Sequence, residues 1–188
     1  MPLFKPNALT FTGELHDVHL VNFSVDLDEV RHLVPQPLRI RTFDGRALIS
    51  MVDVHLRNMR AKSRLLPFRF HYQHVGFRLL IEDANYHNES VHKGIYFLRS
   101  FTNRSTIATG GKLLTRYNLE HAQLLNHASG LEIRQGDNFL VYSLDAIDET
   151  PSPAMQRLHQ TVGAIDRAWA VDGRDLKMTR IMREKWPL

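Results

Sequence analysis

From Glu14 to Val25 the chain runs through strand-forming residues. Asp26-Leu-Asp-Glu29 then supplies an N-cap aspartate with a reciprocating acid three positions on, which predicts a short helix that Pro35 ends. Apolar residues crowd both sides of Asp44-Gly45, from Arg39 to Phe43 and from Arg46 to Leu56. Asp-Gly accepts the positive backbone angles of a tight turn, so this segment predicts a hairpin. Phe70 to Ile81 and His92 to Phe101 read as two more strands, joined by the polar Glu82 to Val91 segment with Asn85, Asn88 and Ser90 as turn formers. Arg104 to Leu114 predicts a helix that Gly110-Gly111 weakens. Tyr117 to Leu125, Leu131 to Arg134 and Phe139 to Ile147 are separated by Ser129-Gly130 and Gln135-Gly136-Asp137, a pattern that predicts a meander. Ser152-Pro153 opens a helix running towards Trp169, with Val162, Ile165 and Trp169 as its core-facing stripe. After Asp172-Gly173, Leu176 to Trp186 predicts a closing strand.

About eight strands with two or three helices, not alternating one for one, predict an α+β fold around a curved or closed antiparallel β-barrel. No Gly-rich phosphate loop follows an early strand, so nucleotide binding of the doubly wound type has no support. With 188 residues, 43% of them hydrophobic, and neither repeat nor linker, residues 1–188 read as one domain. A chain of that size buries roughly 70% of its unfolded surface. Cysteine is absent, which excludes disulfides, thiolate metal sites and cysteine nucleophiles. No apolar run approaches the roughly 20 residues needed to span a bilayer, and the start lacks a signal-peptide pattern, so a cytoplasmic protein is expected.

The formal charge is +4, with 18 arginines against 6 lysines. The densest basic run, Arg57, Arg60, Lys62 and Arg64, could track phosphates as an exposed loop. The other cations are scattered among acids, and no helix-turn-helix, zinc-finger or RNA-binding signature is present. An arginine-rich loop at the mouth of an anion-binding cavity accounts for the same residues. Eleven histidines raise the question of a metal. His16/His19 and His71/His74 are three apart, so on strands they project to opposite sides unless a bulge intervenes, and no metal site is expected. Asp17-Val18-His19 and Asp53-Val54-His55 repeat one pattern in which Asp and His share a strand face, and the two would form a His/carboxylate cluster if their strands met.

Arg78 lies among Val75, Phe77, Leu79, Leu80 and Ile81, and its guanidinium cannot shed its charge. It either faces solvent on a half-buried strand or lines a pocket. His74, Gly76 and Arg78 occupy alternate positions and so share a face, with Gly76 leaving space between the other two. That arrangement can receive a carboxylate. No G-x-S-x-G elbow marks a serine nucleophile. Tyr96 and Tyr142 are tyrosines able to donate into a cavity, although buried strand tyrosines commonly just pack.

The opening strand followed by VDLDEVRHLVPQPLRI, the FDGRALISMV hairpin, the KGIYFLRS strand and the terminal KWPL resemble the bacterial YqjF-like family of the acetoacetate decarboxylase-like superfamily. The resemblance spans Leu15 to Leu188 and implies a compact β-barrel with peripheral helices and a central cavity. Decarboxylases of that superfamily use a Schiff-base lysine whose pKa an adjacent lysine lowers. Here no two lysines adjoin, and Thr115-Arg116-Tyr117-Asn118 stands where that pair belongs. Tyr117 and Asn118 cannot form an imine, whereas Lys112 lies a few residues upstream. The family's acid, amide and arginine on the strand of Arg78 correspond to His74, Gly76 and Arg78, so only the arginine matches. The resemblance therefore implies a protein that binds a small anionic organic molecule, without a cofactor. Arg78, His74, Tyr117, Asp53, His55 and Tyr96 are its candidate contacts, and Tyr117, His74 and Lys112 its candidate catalytic groups. An enzyme of β-keto-acid chemistry is the alternative, and a basic interaction or nucleic-acid-binding protein the third. Exposed strand edges are compatible with a homodimer.

Overall fold

Asp44 (φ 50°) and Gly45 (φ 78°) both take positive backbone angles, and Phe43 pairs with Arg46 across them, which closes the expected hairpin. In the computed structural model, residues 10–62, 68–83, 92–114, 119–144, 153–163, 165–172, 175–180 and 182 are described. Their elements are β1 (Phe11–Val25), α1 (Leu27–Val30) with a 3₁₀ turn over Arg31–Leu33, β2 (Leu38–Ile40), β3 (Thr42–Phe43), β4 (Arg46–Ala61), β5 (Phe70–Asp83) and β6 (His92–Thr102). There follow α2 (Ser105–Leu114), β7 (Glu120–His121), β8 (Gln123–His127), β9 (Gly130–Gln135), β10 (Asn138–Ser143), α3 (Pro153–Gly163), β11 (Arg167–Asp172) and β12 (Asp175–Arg180). The Asp26 carboxylate caps α1 by accepting from the Asp28 amide at 3.1 Å.

The main sheet runs β1-β4-β5-β6-β11-β12, with β2 added to β5, β3 to β4 and β7 to β6. A separate three-stranded sheet is ordered β10-β9-β8. Mostly sheet with three short helices, the fold is α+β, and among the described residues the edge strands β1 and β12 do not close on each other. No helix among the described residues is long and apolar enough to cross a membrane.

Three expectations are corrected. Arg39 and Ile40 belong to β2, which pairs with Glu82 and Ile81 of β5, so the hairpin keeps only Thr42 and Phe43 on its first arm. Buried Leu38 packs with Val30, Ala47 and Leu79, and that contact draws β2 off the hairpin. The helix from Pro153 stops at Gly163, and Trp169 is on β11 instead. Val162 and Ile165 pack in one cluster and Trp169 in another, each almost fully buried, so apolar spacing that mimicked a helical stripe serves two layers. The expected meander forms as the antiparallel run β8-β9-β10, but its first strand is split, with Glu120–His121 becoming β7. The main sheet is not wholly antiparallel, because β11 and β7 both run parallel to β6, at Ile95–Tyr96 and at Phe101–Thr102. Gly94 permits the first crossing. A β-carbon there would stand 3.0 Å from the Arg167 carbonyl oxygen.

Antiparallel partners share a face, so the register assigns side chains to the two sides of the main sheet. Asn22, Ser50, Arg78 and Phe97 form one cross-strand row, and Leu20, Val52, Gly76 and Ser100 the next, on what we term the first face. Farther along it, Leu48, Leu80 and Ile95 pack under Leu158 and Val162 of α3. The second face carries the row His19, Asp53, Val75, Phe101 and the row Val21, Met51, Phe77, Arg99. Met51, Val75 and Phe101 pack there against Ala122, Leu131, Ile133 and Tyr142, which joins the two sheets.

Candidate functional site

On the first face, the row of Asn22, Ser50 and Arg78 crosses β1, β4 and β5. Arg78 is 8% exposed and Ser50 is fully buried, and Ser100, from the next row, is nearly so. Asn22 Oδ1 and Ser50 Oγ are sealed from solvent and have no hydrogen-bond partner among the described residues. A buried oxygen left in that condition is costly, so sites that keep such atoms often use them.

Gly76 does not leave open space. A β-carbon on it would lie 3.0 Å from Phe97 Cε1 and 3.2 Å from His74 Cε1, because the two rings, 6.0 Å between centroids, close over the glycine. Burial, with the charge of Arg78 added, pulls the His74 pKa down from 6.5 to about 4. His74 is therefore a neutral imidazole at neutral pH. Because its folded pKa lies below the unfolded one, its contribution to stability is complete above about pH 6.5 and is lost as pH falls towards 4. The full swing is on the order of 3 kcal/mol. Urea unfolding between pH 7 and pH 4 should show a fall in stability that His74→Gln makes shallower; parallel profiles for the two proteins would refute the burial of this ring.

The second face holds a separate polar cluster. Asp53, 5% exposed, accepts from Gln73 Nε2 at 2.8 Å and from the Tyr142 hydroxyl at 2.8 Å, with His19 Nδ1 3.8 Å away. Gln73 Nε2 also donates to Asn126 Oδ1 at 2.9 Å, and Asn126 Nδ2 returns a bond to Gln73 Oε1 at 3.2 Å. Burial, then the Asp53 carboxylate, pushes the Tyr142 pKa up, so the phenol stays a donor. Gln73 and Asn126 carried no sequence signal. Only the hydrogen bonds that link Gln73 to Asp53 and to Asn126 reveal them.

Asp53, His55 and Tyr96 are thus on the opposite face from Arg78 and His74, and these candidates do not form one site. Tyr96 packs with Leu79, Ile81 and Trp169, and burial raises its pKa. It also lines a cleft of about 230 Å³ with Phe97 to Ser100, Ala170 and Val171, along the edge of β6 away from β5, where no strand among the described residues pairs between β11 and β7. Lys112 lies on α2, with its side chain outside the described residues, and Tyr117 lies wholly outside them.

The strands of the two Asp-Val-His motifs do meet. β1 pairs with β4, and an irregularity between His16 and His19, where Asp17 takes φ 50°, sets His16 opposite His55 and His19 opposite Asp53. His16 and His19 consequently share a face, contrary to plain alternation. His55 Nδ1 meets Asp17 Oδ2 at 3.0 Å, a contact that lowers the Asp17 pKa, and His16 Nε2 meets Glu14 Oε2 at 3.0 Å. Among the described residues, no group of three His, Asp or Glu side chains is placed to hold a metal ion. Arg57 and Arg60 are not in a loop but on β4, where Arg57 lies 3.7 Å from Asp17 and Arg60 Nε donates to Thr12 Oγ1 at 3.3 Å. Arg64 is outside the described residues.

Residues 12–188 match the model of DUF2071, an uncharacterized conserved protein (COG2071). The chain belongs to the DUF2071 family. No curated protein matches this DUF2071 chain. Among solved structures, it is similar to the enduracididine biosynthesis enzyme MppR with HEPES buffer bound, at 12% identity and a TM-score of 0.55 over 93% of this chain and 68% of that one. MppR complexed with pyruvate gives 12% identity and a TM-score of 0.54 over 94% and 70%. An acetoacetate decarboxylase from Legionella pneumophila subsp. pneumophila str. Philadelphia 1 gives 11% and 0.54 over 96% and 69%. At such identities the likeness concerns the fold. This DUF2071 chain has an acetoacetate decarboxylase-like fold, as the order of its sequence landmarks implied.

Proposed function

We propose that this DUF2071 protein binds a small organic anion, a short carboxylate of the keto-acid class, against the row of Asn22, Ser50 and Arg78. The observation that carries the reading is a permanently charged guanidinium, 8% exposed, in line with fully buried Ser50 and the sealed Oδ1 of half-buried Asn22. A carboxylate there gains a charge-assisted, bidentate partner in a low-dielectric setting. Because Phe97 and His74 cover Gly76, the anion lies towards Ser50 and Asn22. Neutral His74 leaves Arg78 as the cation that selects the ligand's charge. The pyruvate complex of MppR, which shares this fold at 12% identity, supports the choice of a keto acid as first probe.

Isothermal titration with pyruvate, acetoacetate and their uncharged methyl esters tests the proposal. The acids should bind and the esters should not, and the acids should raise the melting temperature in proportion to ln(1 + [L]/Kd). Equal behaviour of acids and esters would remove the proposed role of charge.

A further inference from the structure

Among the described residues, nothing covers the β10 edge of the second sheet. β10 reads Asn138-Phe139-Leu140-Val141-Tyr142-Ser143, with no charge, proline or bulge, the devices by which natural sheets blunt their edges. Phe139 is 73% exposed, Val141 56% and Leu140 41%. Gly136, at φ 58° in the first central position of a two-residue turn, makes Gln135 and Asn138 the closing pair of the β9–β10 hairpin. Alternation from that pair directs the backbone groups of residues 138, 140 and 142 to β9, and those of Phe139, Val141 and Ser143 to the open edge.

Side chains alternate as well. Tyr142 reaches Asp53 of the main sheet, so Leu140 shares its inward side, while Phe139 and Val141 stand on the outer side beside Arg134 and Glu132 of β9. We infer that β10 is a self-association edge whose occupant is the β10 of a second copy, antiparallel about a two-fold axis at Leu140. In that register each Phe139 lies opposite the Val141 of the other copy, an aromatic–β-branched pairing made twice. The outward backbone groups of Phe139 and Val141 exchange hydrogen bonds there, and two three-stranded sheets become one of six strands. A strand without charge brings no like-charge clash when it meets itself, and a symmetric dimer needs that self-complementarity. A charged partner strand would find no counter-charge on β10.

The full-length protein should sediment as a dimer at tens of micromolar, and Val141→Lys should weaken association about tenfold or more with an unchanged circular dichroism spectrum. With no native cysteine in the chain, a single Leu140→Cys should form a disulfide-linked dimer on mild oxidation. Thr106→Cys, exposed on α2, should not. A wild-type monomer at that concentration would overturn the inference, as would a dimer indifferent to Val141→Lys that Leu140→Cys fails to link.

Discussion

Asp53→Ala is expected to lower the free energy of unfolding by about 3 kcal/mol. The carboxylate is 5% exposed and accepts from both Gln73 and Tyr142, at 2.8 Å each. Its removal leaves the phenol without its acceptor and breaks one of two bonds from Gln73 Nε2, which keeps Asn126. Each buried donor stripped in this way costs about 1–3 kcal/mol. Because Tyr142 lies on β10 and Asp53 on β4, the loss also loosens the second sheet from the first. Hydrogen exchange of β8, β9 and β10 should speed up more than that of β5. Tyr142→Phe removes the donor instead, so it should cost less, about 1 kcal/mol, and add little in the Asp53→Ala background. Equilibrium urea unfolding of the two single variants and the double variant measures this coupling. Additive effects would show that the contact does not tie the sheets.

Arg78→Met is expected to leave the fold intact and to weaken binding of a short keto acid by about 100-fold or more, since truncating one side of a buried charge pair commonly costs 2–5 kcal/mol. Methionine keeps an unbranched stem beside Ser50 and Phe97 and removes the only charge in the row. Arg78→Lys keeps the charge and loses the planar fork, so it should recover only part of the affinity. Ser50→Ala should weaken binding by less, because it removes one neutral hydrogen bond. Titration calorimetry on the four proteins orders them as wild type, Ser50→Ala, Arg78→Lys and Arg78→Met. An Arg78→Met protein that binds as wild type does would place the ligand elsewhere.

Features governed by neighbours in sequence were the ones readable beforehand. Asp44-Gly45 announces its turn, Asp26 its cap, and the period of two puts His74, Gly76 and Arg78 on one side. What escaped depends on pairing between distant strands. Asp53 and His55 looked like companions of Arg78 until the register set Asp53 against Val75 and Ser50 against Arg78, on opposite faces of the same two strands. Tyr142 is 89 positions from the carboxylate it serves, a partnership that no local pattern records. The irregularity at Asp17 reversed the expectation for His16 and His19, because one extra residue in a strand flips everything beyond it. Trp169 continued a helical spacing by coincidence while belonging to a strand that runs parallel to β6.

The proposed anion site is tested most directly by a crystal structure of the protein soaked with the tightest-binding short keto acid. Its carboxylate should lie within hydrogen-bonding distance of the Arg78 guanidinium and of Ser50 Oγ, on the same side of the sheet as Asn22. A carboxylate seated on the face of Asp53, or in the cleft beside Tyr96 with Arg78 untouched, would contradict it.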